Sequence, residues 1–208
     1  MRYSGGMTSA RTQVLAVVAA FATALAVSSC GTTAREDQGL PASATSAEQI
    51  TAHNADDVMF AQMMIPHHEQ AVELAAMVPD RSTNPDVIAL AAKIAAEQQP
   101  EINTMKALLL QWDVDPNEMS HESGHAGMAM AGMVDDATMV RLDSLKGASF
   151  DVLWLQSMIS HHEGAIAMAK SEIADGTSAD MTTLARSIVA AQQAEIDQMK
   201  QMLIELGA

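Results

Sequence analysis

Two short stretches hold the residues best suited to chemistry, M63-M-I-P-H-H-E-Q-A71 and S157-M-I-S-H-H-E-G-A165. Each places two histidines side by side, with a methionine one helical turn before the second of them. Met64 and His68 are four residues apart, as are Met158 and His162, so on a helix each pair shares a face. Imidazole suits several transition metals, and thioether sulfur selects soft Cu(I). Methionine needs no deprotonation and cannot be lost to a disulfide, which suits an oxidising compartment. The competing account is a closed network of buried hydrogen bonds that fixes helix register and binds nothing.

The spacing shows what must position these residues. His67 and His161 are 94 residues apart, and so are His68 and His162, Met64 and Met158, and Glu69 and Glu163. The register runs on without a gap through Leu90 and Leu184, Ile94 and Ile188, Gln98 and Gln192, Glu101 and Glu195, Met105 and Met199, and Lys106 and Lys200. This is an internal duplication. Within each copy two stripes recur at helical spacing. Phe60, Met64, His67, Ala71 and Leu74 make the first, matched by Trp154, Met158, His161, Ala165 and Met168. Leu90, Ile94, Gln98, Glu101, Met105 and Leu108 make the second, matched by Leu184, Ile188, Gln192, Glu195, Met199 and Met202.

Turn-forming runs, V78-P-D-R-S-T-N-P85 and A174-D-G-T-S-A-D180, break each copy in two. Short breaks make antiparallel hairpins, so the expected fold is all-α, an antiparallel four-helix bundle of two duplicated hairpins. Pro66 and Pro100 fall inside the helical patterns. Because Ser160 stands at the site matching Pro66, the ungapped register favours a kinked helix through each proline, with a new helix start at the prolines as the alternative.

His67, Gln98 and Glu101 sit on stripes otherwise made of Phe, Met, Ile and Leu, and His161, Gln192 and Glu195 do the same. Burying such groups alone costs kilocalories. A pseudo-twofold between the hairpins brings them to one level, where they can satisfy each other or share an ion. The candidate metal set is therefore Met64, His67, His68, Glu101 and Met105, with Met158, His161, His162, Glu195 and Met199. Glu69 and Glu163 lie on another azimuth and face outward or cap the site. Lys106 and Lys200 read as solvated.

Between the hairpins runs D115-P-N-E-M-S-H-E-S-G-H-A-G-M-A-M-A-G-M-V-D135. It contains a literal H-E-x-x-H from His121 to His125. A zinc protease needs that motif on a helix that aims both histidines at one ion. Here Ser and Gly fill the middle and no third ligand follows, so a protease is rejected. His121, His125, Met128, Met130 and Met133 make a second, soft-donor candidate site, or a linker whose methionines dock on the bundle. From Asp135 a short helix is expected, with Gly147 at its end.

The formal net charge of −15 repels phosphate backbones and excludes nucleic acid as a partner. Cys30 is the only cysteine, so no intrachain disulfide forms. Arg2 and Arg11 precede an apolar run, Leu15 to Val27, too short for a comfortable membrane span and fitting a secretory signal. It ends in L25-A-V-S-S-C30, small residues before a cysteine that resemble the bacterial lipoprotein cleavage box. That resemblance implies a signal peptide over 1–29, lipidation of Cys30 and a membrane anchor on the extracytoplasmic face. Residues 30–50 read as a flexible tether, leaving 51–208 for the helical domain. Its expected parts are a first repeat over about 51–113, a connector over 114–147 and a second repeat over about 148–207.

Met63 to Ala75, Met139 to Asp151 and Phe150 to Ala169 resemble the signatures of the domain-of-unknown-function 305 family. The resemblance implies a ferritin-like four-helix fold, secretion or lipid anchoring in a bacterium and, for some members, periplasmic copper binding and copper resistance. The family's paired histidines map onto His67, His68, His161 and His162, with Met64 and Met158 beside them. Ferritin-like di-iron sites use four or more carboxylates with Glu-x-x-His pairs. This chain offers Gln98-x-x-Glu101 and Gln192-x-x-Glu195, a softer set that disfavours di-iron oxidation. The expected function is binding or buffering of a metal ion, copper foremost. A metal-dependent oxidoreductase and a metal-free structural or partner-binding lipoprotein stand as alternatives.

Overall fold

A computed structural model of the chain describes residues 52–116 and 131–208. Among these residues it forms five α-helices and one 3₁₀ turn, and no strand. The helices are α1 (Ala55–Met77), α2 (Pro85–Gln111), the short α3 (Asp136–Ser144), α4 (Ala148–Asp175) and α5 (Ala179–Glu205). Among the described residues no helix is long and apolar enough to cross a membrane.

Local chemistry sets the helix starts. The Asn54 side chain accepts from the N–H groups of Asp56 and Asp57, and the Asp57 carboxylate accepts from the N–H of Asn54, a reciprocal cap. Asn84 caps α2, with Pro85 in the first-turn position where its missing donor costs nothing. Ser178 caps α5 through the N–H of Met181. Both α1 and α2 continue unbroken through Pro66 and Pro100, as the ungapped repeat requires.

The apolar residues form two clusters, one on each side of a polar layer. The first joins the end of α1 (Ala71, Leu74, Val78) to the start of α2 (Val87, Leu90, Ile94), the start of α4 (Phe150, Trp154, Met158) and the end of α5 (Ile196, Met199, Met202). The second joins the opposite ends: Phe60 and Met64 with Ile102, Met105 and Leu109, and Ala165 and Met168 with Met181, Ala185 and Ile188. That interleaving makes each hairpin antiparallel and runs α1 opposite to α4. The buried indole N–H of Trp154 donates to the Leu74 carbonyl at 2.9 Å and ties α4 to α1.

One sequence expectation needs correcting. The helix after Asp135 stops at Ser144, and Gly147 opens α4 instead of closing α3. Leu145 is already extended (φ −98°, ψ 156°), so the helix has ended before glycine is reached. Gly147 sits at φ 59°, its N–H donates to the Arg81 carbonyl, and its carbonyl accepts from the N–H of Asp151. A left-handed glycine serves either helix end, and here the first turn of α4 uses it.

Candidate metal centre

The polar layer lies where the two apolar clusters meet. His67, His68, His161 and His162 are each fully buried, and Gln98, Gln192 and Glu195 nearly so. The rings of His67 and His161 lie with centroids 3.7 Å apart and planes tilted by 39°. His162 stands 6.4 Å from His161, centroid to centroid. His68 Nε2 meets the Glu101 carboxylate at 2.9 Å, and His162 Nε2 meets Glu195 at 2.8 Å. A carboxylate only accepts, so Nε2 of each ring is the donor and Nδ1 faces away from the carboxylate.

The remaining polar atoms of the layer are buried without a well-formed hydrogen bond, although the backbone of Ala131 approaches His67 and that of His67 approaches His161. They are both ring nitrogens of His67 and of His161, Nδ1 of His68 and of His162, and both amide atoms of Gln98 and of Gln192. Each such atom costs about 1–3 kcal/mol, and folded proteins rarely tolerate several together. Neutral imidazole nitrogens with thioethers nearby fit a soft or borderline transition metal such as copper. Met64 and Met105 are buried in the cluster on one side of the layer, and Met158 and Met199 in the cluster on the other. Among the described residues no group of three or more His, Cys, Asp and Glu side chains is arranged to hold an ion as it stands.

The electrostatics keep the His67 and His161 imidazoles neutral. Burial pushes His67 down to about 3, and the adjacent His68 and nearby His162 add to it. Burial also pushes His161 well below its ordinary value, with His67 the next cause. Neutral imidazole is the metal-binding form. Glu195 is held below its ordinary value although burial alone would raise it, because His162 and Lys93 both donate to it. Lys93 Nζ lies 2.7 Å from Glu195 and 2.7 Å from Glu97. The duplication is not strict here: Ser187 occupies the position that matches Lys93.

The chain's return from the connector closes over this layer. Gln70, one turn after His67, accepts from the N–H of Val134 and donates to its carbonyl, each at 2.8 Å. Gly164, one turn after His161, lies against the Ala131 backbone. A Cβ there would sit 2.2 Å from the Ala131 carbonyl oxygen. Sequence reasoning passed over Gln70, Gly164 and Lys93. The available signal was the mismatch between H-H-E-Q and H-H-E-G within otherwise matching repeats.

The other expected site residues divide simply. Glu69 and Glu163 are exposed, and they pair with Lys106 at 2.7 Å and Lys200 at 3.6 Å. Glu101 and Glu195 engage the ring nitrogens of His68 and His162. Met133 is half-buried beside the returning connector. His121, His125, Met128, Met130 and Cys30 lie outside the described residues.

A helical bundle with a duplicated, buried layer of imidazoles between two methionine-bearing cores defines the class of protein. The model of the domain of unknown function 305 (DUF305) matches residues 57–203, and the chain belongs to that family. A DUF305 protein of Streptomyces coelicolor, described as secreted, is 37% identical and superimposes with a TM-score of 0.69 over 74% of this chain and 94% of that one. A DUF305 fragment from Deinococcus radiodurans is 32% identical, with a TM-score of 0.65 over 73% of this chain and 97% of the fragment. CopM in its Cu(I)-bound form is 30% identical, with a TM-score of 0.61 over 72% of this chain and 96% of CopM. CopM is also known in Cu(II)-bound, Ag-bound and apo forms. Protein L153 of Acanthamoeba polyphaga mimivirus is 37% identical over 54 residues, a match spanning 36% of that protein's length.

Proposed function

We propose that this protein is an extracytoplasmic copper-binding protein that buffers or carries the ion, anchored to the membrane through a lipid on Cys30. The observation that carries the metal reading is the set of buried imidazole nitrogens without a well-formed hydrogen bond, both of His67 and of His161 and Nδ1 of His68 and of His162, inside an apolar interior. The likeness to CopM supports copper over other metals. The likeness to a secreted relative supports an extracytoplasmic location.

In this reading His67 and His161 supply nitrogen to the ion. His68 and His162 offer Nδ1, with Glu101 and Glu195 accepting from Nε2 behind. Met64, Met158, Met105 and Met199 supply sulfur from above and below the layer. The absence of a carboxylate-rich first shell favours holding Cu(I) over oxidising a substrate. The connector donors His121, His125, Met128, Met130 and Met133 are a second candidate set of soft ligands.

The test is metal titration of the full-length chain with Cu(I), Cu(II), Zn(II) and Fe(II), beside a His67→Ala/His161→Ala variant. Cu(I) is held most tightly, and the variant loses the bundle equivalent. Equal copper stoichiometry in both proteins would remove the histidine assignment. The anchor is tested separately by the mass of the mature N-terminus, which loses its acyl groups in Cys30→Ala.

A further inference from the structure

A second group of soft donors lies away from the histidine layer. The first turns of α1 and the last turns of α4 enclose a cleft of about 20 Å³, lined by Asp56, Met59, Phe60, Met63, Met168 and Glu172. Room for one water-sized occupant takes roughly 10–15 Å³. Met59 and Met63 are four residues apart on α1, half-buried, and Met168 is 3% exposed on α4. Glu172 is 2% exposed, and its carboxyl oxygens meet no N–H or hydroxyl donor, only the carboxyl group of Asp57, with which they share a hydrogen bond. Its neighbour Asp57 is another carboxyl group, already accepting from Asn54, Thr177 and Ser178. Gly176 leaves space for Glu172, since a Cβ there would fall 2.2 Å from its Oε1.

Methionine in a helical core is ordinarily filler, and the duplication offers an internal control. The positions matching Met59, Met63, Met168 and Glu172 in the other repeat are Leu153, Ser157, Leu74 and Val78. Filler would be served as well by leucine, which stands at the positions matching Met59 and Met168. Three thioethers and a buried carboxyl group gather on one side of the pseudo-twofold only, around a cleft of ionic size.

We propose that Met59, Met63, Met168 and Glu172 form a separate site for one soft monovalent cation, of the Cu(I) or Ag(I) class. Thioether sulfur selects such ions, and Glu172, with Asp56 also lining the cleft, supplies negative charge. The site extends the metal-binding reading to donors that share no residue with the histidine layer.

Silver(I) is the probe, titrated calorimetrically into the purified full-length chain. The Met59→Leu/Met63→Leu/Met168→Leu variant, whose exchanges nearly conserve volume, takes up one silver ion fewer than the wild type. It keeps the equivalent that His67→Ala/His161→Ala removes. In wild-type protein carrying ¹³C-methyl methionine, the methyl signals of these three residues shift together and saturate at one equivalent. An unchanged silver count in the triple variant overturns the proposal. So do methyl signals that stay in place at saturating silver, a readout that needs no variant to fold. Failure of the histidine site appears instead as a His67→Ala/His161→Ala variant with wild-type uptake, so the two readings fall separately.

Discussion

The imidazoles of His67 and His161 lie 3.7 Å apart, centroid to centroid, with no well-formed hydrogen bond on any of their four ring nitrogens. Two residues 94 positions apart in sequence meet because each occupies the same place in its own copy of a repeat. Their contact leaves buried ring nitrogens unsatisfied, which costs the metal-free protein stability.

The first prediction follows from that cost. Replacing His161 by leucine removes a buried polar ring and leaves an apolar group of similar size in an apolar setting. Removing the unsatisfied nitrogens recovers roughly 1–3 kcal/mol. The metal-free His161→Leu protein therefore resists urea better than the metal-free wild type, while its copper uptake falls. Equilibrium unfolding in the presence of a chelator measures the first effect. A variant that is both weaker in urea and unimpaired in copper binding would contradict the account.

The pH dependence of the metal-free protein has a definite sign. His67 is held at about 3 in the folded state, against 6.5 when unfolded. His161 is lowered in the same direction. Between those values the unfolded chain binds protons that the folded chain refuses, so stability falls as pH drops below about 6.5 and continues to fall toward 3. Urea midpoints taken at intervals from pH 7 to pH 4 should decline steadily. The decline is shallower in a His67→Leu/His161→Leu variant.

Much of this arrangement was legible in the sequence, and the illegible part has a physical pattern. The ungapped repeat revealed two hairpins, unbroken helices through Pro66 and Pro100, and histidines on core stripes, because periodicity survives duplication. What escaped notice depends on differences between the copies. Lys93 has Ser187 as its mate, and Gln70 has Gly164, so symmetry gave no hint of the ion pair on Glu195 or the clamp on Val134. The Met59, Met63, Met168 and Glu172 cleft straddles two helices, and no single helical stripe contains it. Gly147 was assigned to the wrong helix because a glycine of positive φ can terminate one helix or begin the next.

Gly164 gives the third prediction. Its missing side chain lets the Ala131 carbonyl reach the helix surface, and a Cβ would meet that oxygen at 2.2 Å. Neither backbone can yield without moving the returning connector, so Gly164→Ala lifts the connector from α4. The expected cost is about 1–3 kcal/mol, typical of overpacking. It should be accompanied by faster hydrogen exchange at the Val134 N–H, which Gln70 otherwise holds. Slow exchange at Val134 in a fully stable variant would show that the contact is not constraining.

The last prediction concerns Glu172, where the sign is opposite to that of the histidines. Burial, with Asp57 next and then Asp56 and Asp175, pushes this carboxyl up to about 9 from an ordinary 4.5. In the metal-free protein the folded state therefore keeps a proton that the unfolded chain releases. The resulting contribution is fully present below about pH 4.5 and is lost as pH rises through about 9. Glutamine keeps the shape of the protonated acid and cannot ionise. The urea midpoint of metal-free Glu172→Gln should match the wild type near pH 5 and exceed it increasingly toward pH 9. Parallel pH profiles for the two proteins would mean that Glu172 ionises normally, with water or a cation already offsetting Asp57.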